Sequence, residues 1–127
     1  KECSKALKLL ANAGIPLGSQ TVLLKDVNDN VDVMRTLMHG LLKNRVRPYY
    51  IYSCDHVSGT KHFWTDISKG LEIIQSLRGF TTGYAVPQFI VDSSEGKIAV
   101  SPNNIIKQTD SSIILKAWNR NSVQFDY

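Results

Sequence analysis

The sequence predicts an α/β fold, and three observations carry that prediction. Apolar residues recur alternately at helix and strand spacing, glycine and proline punctuate the changes, and a polar segment follows each strand-like run. Alternation of this kind builds parallel strands joined by helices, and such strands gather functional groups at their C-terminal ends.

Leu7, Leu9, Leu10 and Ala13 follow Lys1 at helix-like intervals. Gly14-Ile15-Pro16 then stops the helix, since proline cannot extend it and glycine releases the backbone. Leu17 to Leu24 is short and rich in strand formers, and Lys25-Asp26-Val27-Asn28-Asp29 closes it with oxygens able to cap the next helix. From Val31, the residues Met34, Leu37, Met38, Leu41 and Leu42 recur at a period of about 3.6, a buried stripe on a helix ending around Asn44. Arg47 to Cys54 reads as the second strand. After the loop Asp55 to Trp64, a third helix begins near Thr65 or Asp66, turns Ile67, Leu71, Ile74 and Leu77 inward and stops at Gly79. Ala85 to Val91 is the third strand, and Lys97 to Val100, Ser112 to Leu115 and Val123 to Phe125 read as short strands joined by polar turns. The strand ends are then Leu24 to Asp26, Cys54 to His56, and Asp92.

A chain of 127 residues with charges of both signs and a net charge of +4 describes one globular unit with a modest core. No apolar run approaches the roughly 20 residues of a membrane span, and Lys1-Glu2-Cys3-Ser4 is neither a signal nor a transit peptide. A cytoplasmic protein with no membrane partner is expected. Lysines and arginines are spread along the chain, with only Lys43, Arg45 and Arg47 grouped, which argues against a nucleic-acid partner. Cys3 and Cys54 form no CxxC or CxxxCxxC spacing, so no zinc or cluster site can be built from this chain alone, and free thiols are expected. The start without methionine, and three helix-strand units too few to close an eight-stranded barrel, suggest a piece of a longer protein. Uncovered edges in such a piece favour a homo-oligomer.

Several residues could carry chemistry. Asp55 and Asp92 stand at the ends of two different strands, where two carboxylates can converge on a cation, although an aspartate just past a strand is more often a turn former or helix cap. Lys97 follows the tight segment Ser93-Ser94-Glu95-Gly96 and could form an imine with an aldehyde if its pKa is lowered; an exposed lysine in a hairpin is the plainer reading. Gln20 and Tyr52 point either to a ligand or to ordinary strand partners. His39, His56 and His62 make an improbable metal site, His39 lying inside the second helix and His62 beside Phe63 and Trp64.

The strings Gly14 to Asp29, Arg45 to Asp55, Ser68 to Ile74, Leu77-Arg78-Gly79, Gly83 to Pro87 and Val91-Asp92, in this order, closely resemble the lysine 2,3-aminomutase family. The resemblance implies the C-terminal part of a partial (β/α) radical S-adenosylmethionine barrel over residues 1–92. Residues 93–127 would form the cofactor-lysine loop and a short β-rich extension. It further implies an isomerase that interconverts L-lysine and β-lysine by radical amino migration, using pyridoxal phosphate, S-adenosylmethionine and a [4Fe–4S] cluster whose ligands lie upstream. Lys97 is then the cofactor lysine and the catalytic residue, Asp55 and Asp92 bind the substrate's distal ammonium, and Gln20 and Tyr52 line the cofactor pocket. Relatives acting on glutamate are expected to lack the acidic pair. The family's loop before the lysine is a longer glycine-rich run, whereas Ser93-Ser94-Glu95-Gly96 is shorter and adds a negative charge. Some members hold a structural zinc through a cysteine where Asn30 stands here, so no metal is expected in this chain. The chain on its own is expected to be inactive. The other readings are a relative with a different substrate, or a non-catalytic module that binds pyridoxal phosphate or an amino acid.

Overall fold

The structure, a computed structural model, describes residues 1–126. Along the chain run α1 (Glu2–Asn12), β1 (Leu17–Val22), α2 (Val31–Lys43), β2 (Val46–Tyr52), α3 (Ile67–Leu77), β3 (Gln88–Ser93), β4 (Gly96–Ala99), β5 (Ile105–Gln108), β6 (Ser112–Lys116) and β7 (Ser122–Asp126). The two helices that organise the fold start on side-chain caps. Asn30 accepts from the backbone N–H groups of Asp32 and Val33, and Asp66 accepts from that of Ser68, so donors that a helix leaves orphaned are satisfied. By contrast α1 buries no residue, and its Leu9 and Leu10 are exposed. Its last turn is held by Arg45, which donates to the carbonyl of Lys8 and to the side chain of Asn12.

The α/β expectation holds. Strands β1, β2 and β3 pair in that order and in parallel, while β4 joins β3 antiparallel. α2 and α3 cover one face of this sheet, with Met34 and Met38 from α2 and Ile67, Ile73 and Leu77 from α3 packed with Ile51, Phe89 and Val91. The fit is closest at Gly70, where an added Cβ would lie 2.3 Å from the Phe89 ring. A second sheet, β5-β6-β7, is antiparallel, and its Ile113 and Leu115, with no exposed surface, enter the same hydrophobic core. Among the described residues no helix is long and apolar enough to cross a membrane.

Two expectations about the third strand need correction, and two features of the sheets were not anticipated. The third strand begins at Gln88 rather than Ala85, because Gly83–Ala85 winds into a 3₁₀ turn capped by the Thr82 hydroxyl. It also runs on to Ser93, so Asp92 lies within the strand instead of beyond it. The stretch Ile105–Gln108 forms a strand that its exposed Ile106, Lys107 and Gln108 did not announce; its pairing with β6 supplies the missing signal. Finally, β1 and β2 slip register between Ser19 and Gln20, which leaves Tyr49 as an extra residue opposite the break. The Tyr49 and Tyr50 ring centroids stand 4.7 Å apart, and the Gln20 amide donates to the Tyr49 hydroxyl.

Candidate functional site

The C-terminal ends of β2 and β3 lie side by side, since Tyr52 pairs with Ile90 and the Ser53 amide donates to the Ile90 carbonyl at 2.8 Å. Just beyond that pair a cavity of about 120 Å³ opens. Asp55 reaches it from the loop after β2, and Asp92 from β3. The two carboxylates singled out in the sequence therefore share one wall. Ser53, Cys54, His56, Thr65 and Val91 complete the strand-end side, and Phe125 and Asp126 close it from β7.

The backbone at Asp55 is tied down. Its carbonyl accepts from the Val57 amide at 2.9 Å, and the Thr60 hydroxyl lies 2.8 Å from the carbonyls of both Asp55 and Val57. That hydroxyl in turn accepts from the Trp64 indole N–H at 2.9 Å, and the Trp64 ring stacks on His56 with centroids 3.7 Å apart. His56 is thus fixed beside Asp55, while His39 is bonded to Thr81 at 2.8 Å and His62 leans on Phe63. Among the described residues no group of three His, Cys, Asp or Glu side chains is placed to hold a metal ion.

Lys97 stands directly across from Asp92, because the β3–β4 register pairs these two residues. Its Nζ lies 3.6 Å from the Asp92 carboxylate and 5.7 Å from the centre of the Tyr52 ring, within cation–π range. The Asp92 charge first, and then Tyr52, hold the Lys97 amine above its ordinary value of 10.5. Both favour the protonated form, the opposite of what an attack on an aldehyde needs. Among the described residues the buried Tyr52 hydroxyl makes no hydrogen bond of normal geometry, and it lies close enough to Lys97 to be one of the groups that hold the amine up. Gln20 stands apart from this group, on β1 and paired with Tyr50 across the sheet.

Sequence reasoning missed the wall formed by Phe125 and Asp126, and also Thr65, which is buried and whose hydroxyl has no partner among the described residues. Nothing in the local pattern of β7 says which strand ends it will face. His56 could have been added to the site as the neighbour of Asp55.

The sequence is similar to that of known proteins. The family described as lysine-2,3-aminomutase matches residues 74–124. The L-lysine 2,3-aminomutase of Fusobacterium nucleatum is 53% identical over 117 residues, covering 91% of this chain and 28% of that protein. The enzyme of the same name from Clostridium subterminale is 53% identical over 118 residues, 91% of this chain and 28% of its own. The glutamate 2,3-aminomutase of Clostridioides difficile is 43% identical over 128 residues, 99% of this chain and 30% of its own. The chain spans a little over a quarter of the length of these relatives. Over the C-terminal region that it shares with them, the chain belongs to the lysine 2,3-aminomutase family.

Proposed function

We propose that this chain is the substrate- and cofactor-holding part of an isomerase that interconverts L-lysine and β-lysine by amino migration. The observation that carries the reading is the convergence of Asp55 and Asp92 on one cavity, with Lys97 opposite Asp92. A substrate ammonium has three N–H donors, and its desolvation is offset only by strong acceptors. Two carboxylates are such acceptors. They repel a second carboxylate, which favours lysine over the glutamate in the name of one relative.

Pyridoxal phosphate fits the residues present. Lys97 offers a primary amine across from Asp92, Tyr52 a buried hydroxyl beside it, and Gln20, on β1, an amide that donates to the Tyr49 hydroxyl. When bound, the cofactor supplies a conjugated system that spreads an unpaired electron next to the migrating nitrogen. Lys97 would anchor it covalently, and Tyr52 would donate a hydrogen bond to it. Asp55 and Asp92 hold the substrate by its far end, so that the carbons to be changed are fixed relative to Lys97. Lys97 lies 3.6 Å from the Asp92 carboxylate, so a Lys97 engaged with the cofactor would leave that carboxylate to the substrate.

An iron–sulfur cluster that cleaves S-adenosylmethionine needs a cysteine set. Cys3 is exposed and Cys54 buried, and they do not make one, so no step through the cluster is assigned to this chain. The three parallel strands with their helices suit a part of a (β/α) barrel, and a homo-oligomer in the cytoplasm is the setting that goes with this reading.

Titration of the native protein that carries this chain, with L-lysine and with norleucine, tests the proposal, since norleucine lacks the distal ammonium. Lysine is expected to bind more tightly by roughly tenfold or more, the worth of a charge-assisted hydrogen bond. The preference should collapse in Asp55→Asn and in Asp92→Asn; a preference that survives in both overturns the reading.

A further inference from the structure

The loop that carries Lys97 forward is unusually well held for a hairpin tip. β3 and β4 are joined by Ser94 and Glu95 alone, with Ser93 paired to Gly96 and Asp92 to Lys97. Gly96 takes a φ of 91°, a region open to glycine, and the Ser93 hydroxyl donates to its carbonyl at 2.8 Å. A two-residue tip of this kind ordinarily projects into solvent and opens easily. Here the turn between β6 and β7 reaches over from the second sheet. That turn is closed by the Ala117 amide on the Asn121 carbonyl at 2.8 Å and the Arg120 amide on the Ala117 carbonyl at 3.0 Å. From it the Trp118 indole donates to the Glu95 carbonyl at 3.0 Å. The Asn119 and Asn121 side-chain amides both donate to one Glu95 carboxylate oxygen, at 2.5 and 3.3 Å.

We infer that Glu95 is a positioning residue for Lys97. Its carboxylate and carbonyl lock the hairpin to the β6–β7 turn and so fix where the Lys97 amine points. Resting on the reading of Lys97 as the cofactor's anchor, the inference adds the element that aims it. The grip acts by geometry, because the influences that raise the Lys97 amine are Asp92 and Tyr52, and Glu95 is not among them. A glutamine keeps an oxygen able to accept both amides, whereas alanine keeps none. It also gives the second sheet a role beyond the Phe125 and Asp126 that line the cavity.

The test is reductive labelling of the native protein with pyridoxal phosphate and borohydride, with the modified lysines located by peptide mapping. The neutral Nζ bonds to the aldehyde carbon, the aldehyde oxygen leaves as water, and hydride from borohydride reduces the resulting C=N bond, with a proton from solvent completing the secondary amine. Glu95→Ala and the double change Asn119→Ala with Asn121→Ala are expected to slow labelling of Lys97 by roughly tenfold, within the range for a misaligned reacting group. The pH midpoint of labelling should stay where it is, the exposed Lys107 should label as before, and Glu95→Gln should restore most of the rate. Equal rates at Lys97 in the wild type and Glu95→Ala overturn the positioning role and leave the Lys97 reading standing. Loss in Glu95→Gln as large as in Glu95→Ala, or a shifted midpoint, makes the effect one of charge and overturns it too. If Lys97 of the wild type takes no label, the underlying reading fails, and this inference with it.

Discussion

Asp55 and Asp92 face the same cavity from two regions that are built differently. Asp55 opens the long loop between β2 and α3, and it is held through its backbone by Thr60, with Trp64 and His56 stacked behind. Asp92 lies inside β3, one step from a two-residue turn, and its place follows from sheet register with Lys97 as its partner. A carboxylate fixed by register is organised before any ligand arrives, whereas one on a loop can adapt to it. The site therefore combines an acceptor placed by sheet register with one placed by the hydrogen bonds of a loop.

The largest expected effect separates these two roles. Asp92→Asn should weaken lysine binding by roughly 100-fold, the upper range for losing a charged hydrogen-bond partner, as measured by calorimetry on the native protein. Next in size, Gly70→Ala forces a Cβ against the Phe89 ring and should destabilise the fold by about 2 kcal/mol in denaturant unfolding. It displaces the strand that carries Asp92 and spares the loop of Asp55, so its effect on affinity measures how much register matters. Asp55→Asn should cost roughly tenfold in affinity, because the loop can bring other groups to the ammonium. A loss equal to that of Asp92→Asn would erase the contrast. Smallest is Thr60→Val, which removes the link between the Trp64 indole and the Asp55 carbonyl and should cost about 1 kcal/mol or less in stability, with a few-fold loss of lysine affinity.

A pH experiment sharpens the same contrast from the side of Lys97. Its amine is held above 10.5 chiefly by Asp92, so Asp92→Asn should move the Lys97 titration to lower pH, readable by NMR of the labelled ε-methylene. With Asp92 ionised, the pairing contributes fully below the amine's ordinary value and is lost as pH rises through the raised one. The difference in melting temperature between wild type and Asp92→Asn should accordingly narrow at strongly alkaline pH. Since both side chains are partly exposed, that difference is expected to be small.

Much of the fold was legible because its signals are local. The spacing of Met34 and Met38 behind the cap Asn30 specifies α2, and Ile67, Ile74 and Leu77 behind Asp66 specify α3. The polar residues after the second and third strand-like runs pointed to the region of the strand ends and so to Asp55 and Asp92, although β2 stops at Tyr52 and β3 runs past Asp92 to Ser93. β5 was not legible, since only Ile105 of its residues is even half-buried and its ladder comes from β6. The start of β3 was misread because Tyr84 and Ala85 look like strand residues, yet the Thr82 cap turns them into a 3₁₀ segment.

The amino-acid sequence by itself determined the alternation of helices and strands, the caps that start α2 and α3, and the residue types at the strand ends. Each depends on periodicity and hydrogen bonds within a few residues. Tertiary structure alone decided that Asp55 and Asp92 line one cavity with Phe125 and Asp126, that Lys97 rests on Asp92 and Tyr52, and that Glu95 is gripped by a turn from another sheet. Those are distances between residues far apart in the chain, and they exist only once sheet register and core packing have brought the segments together.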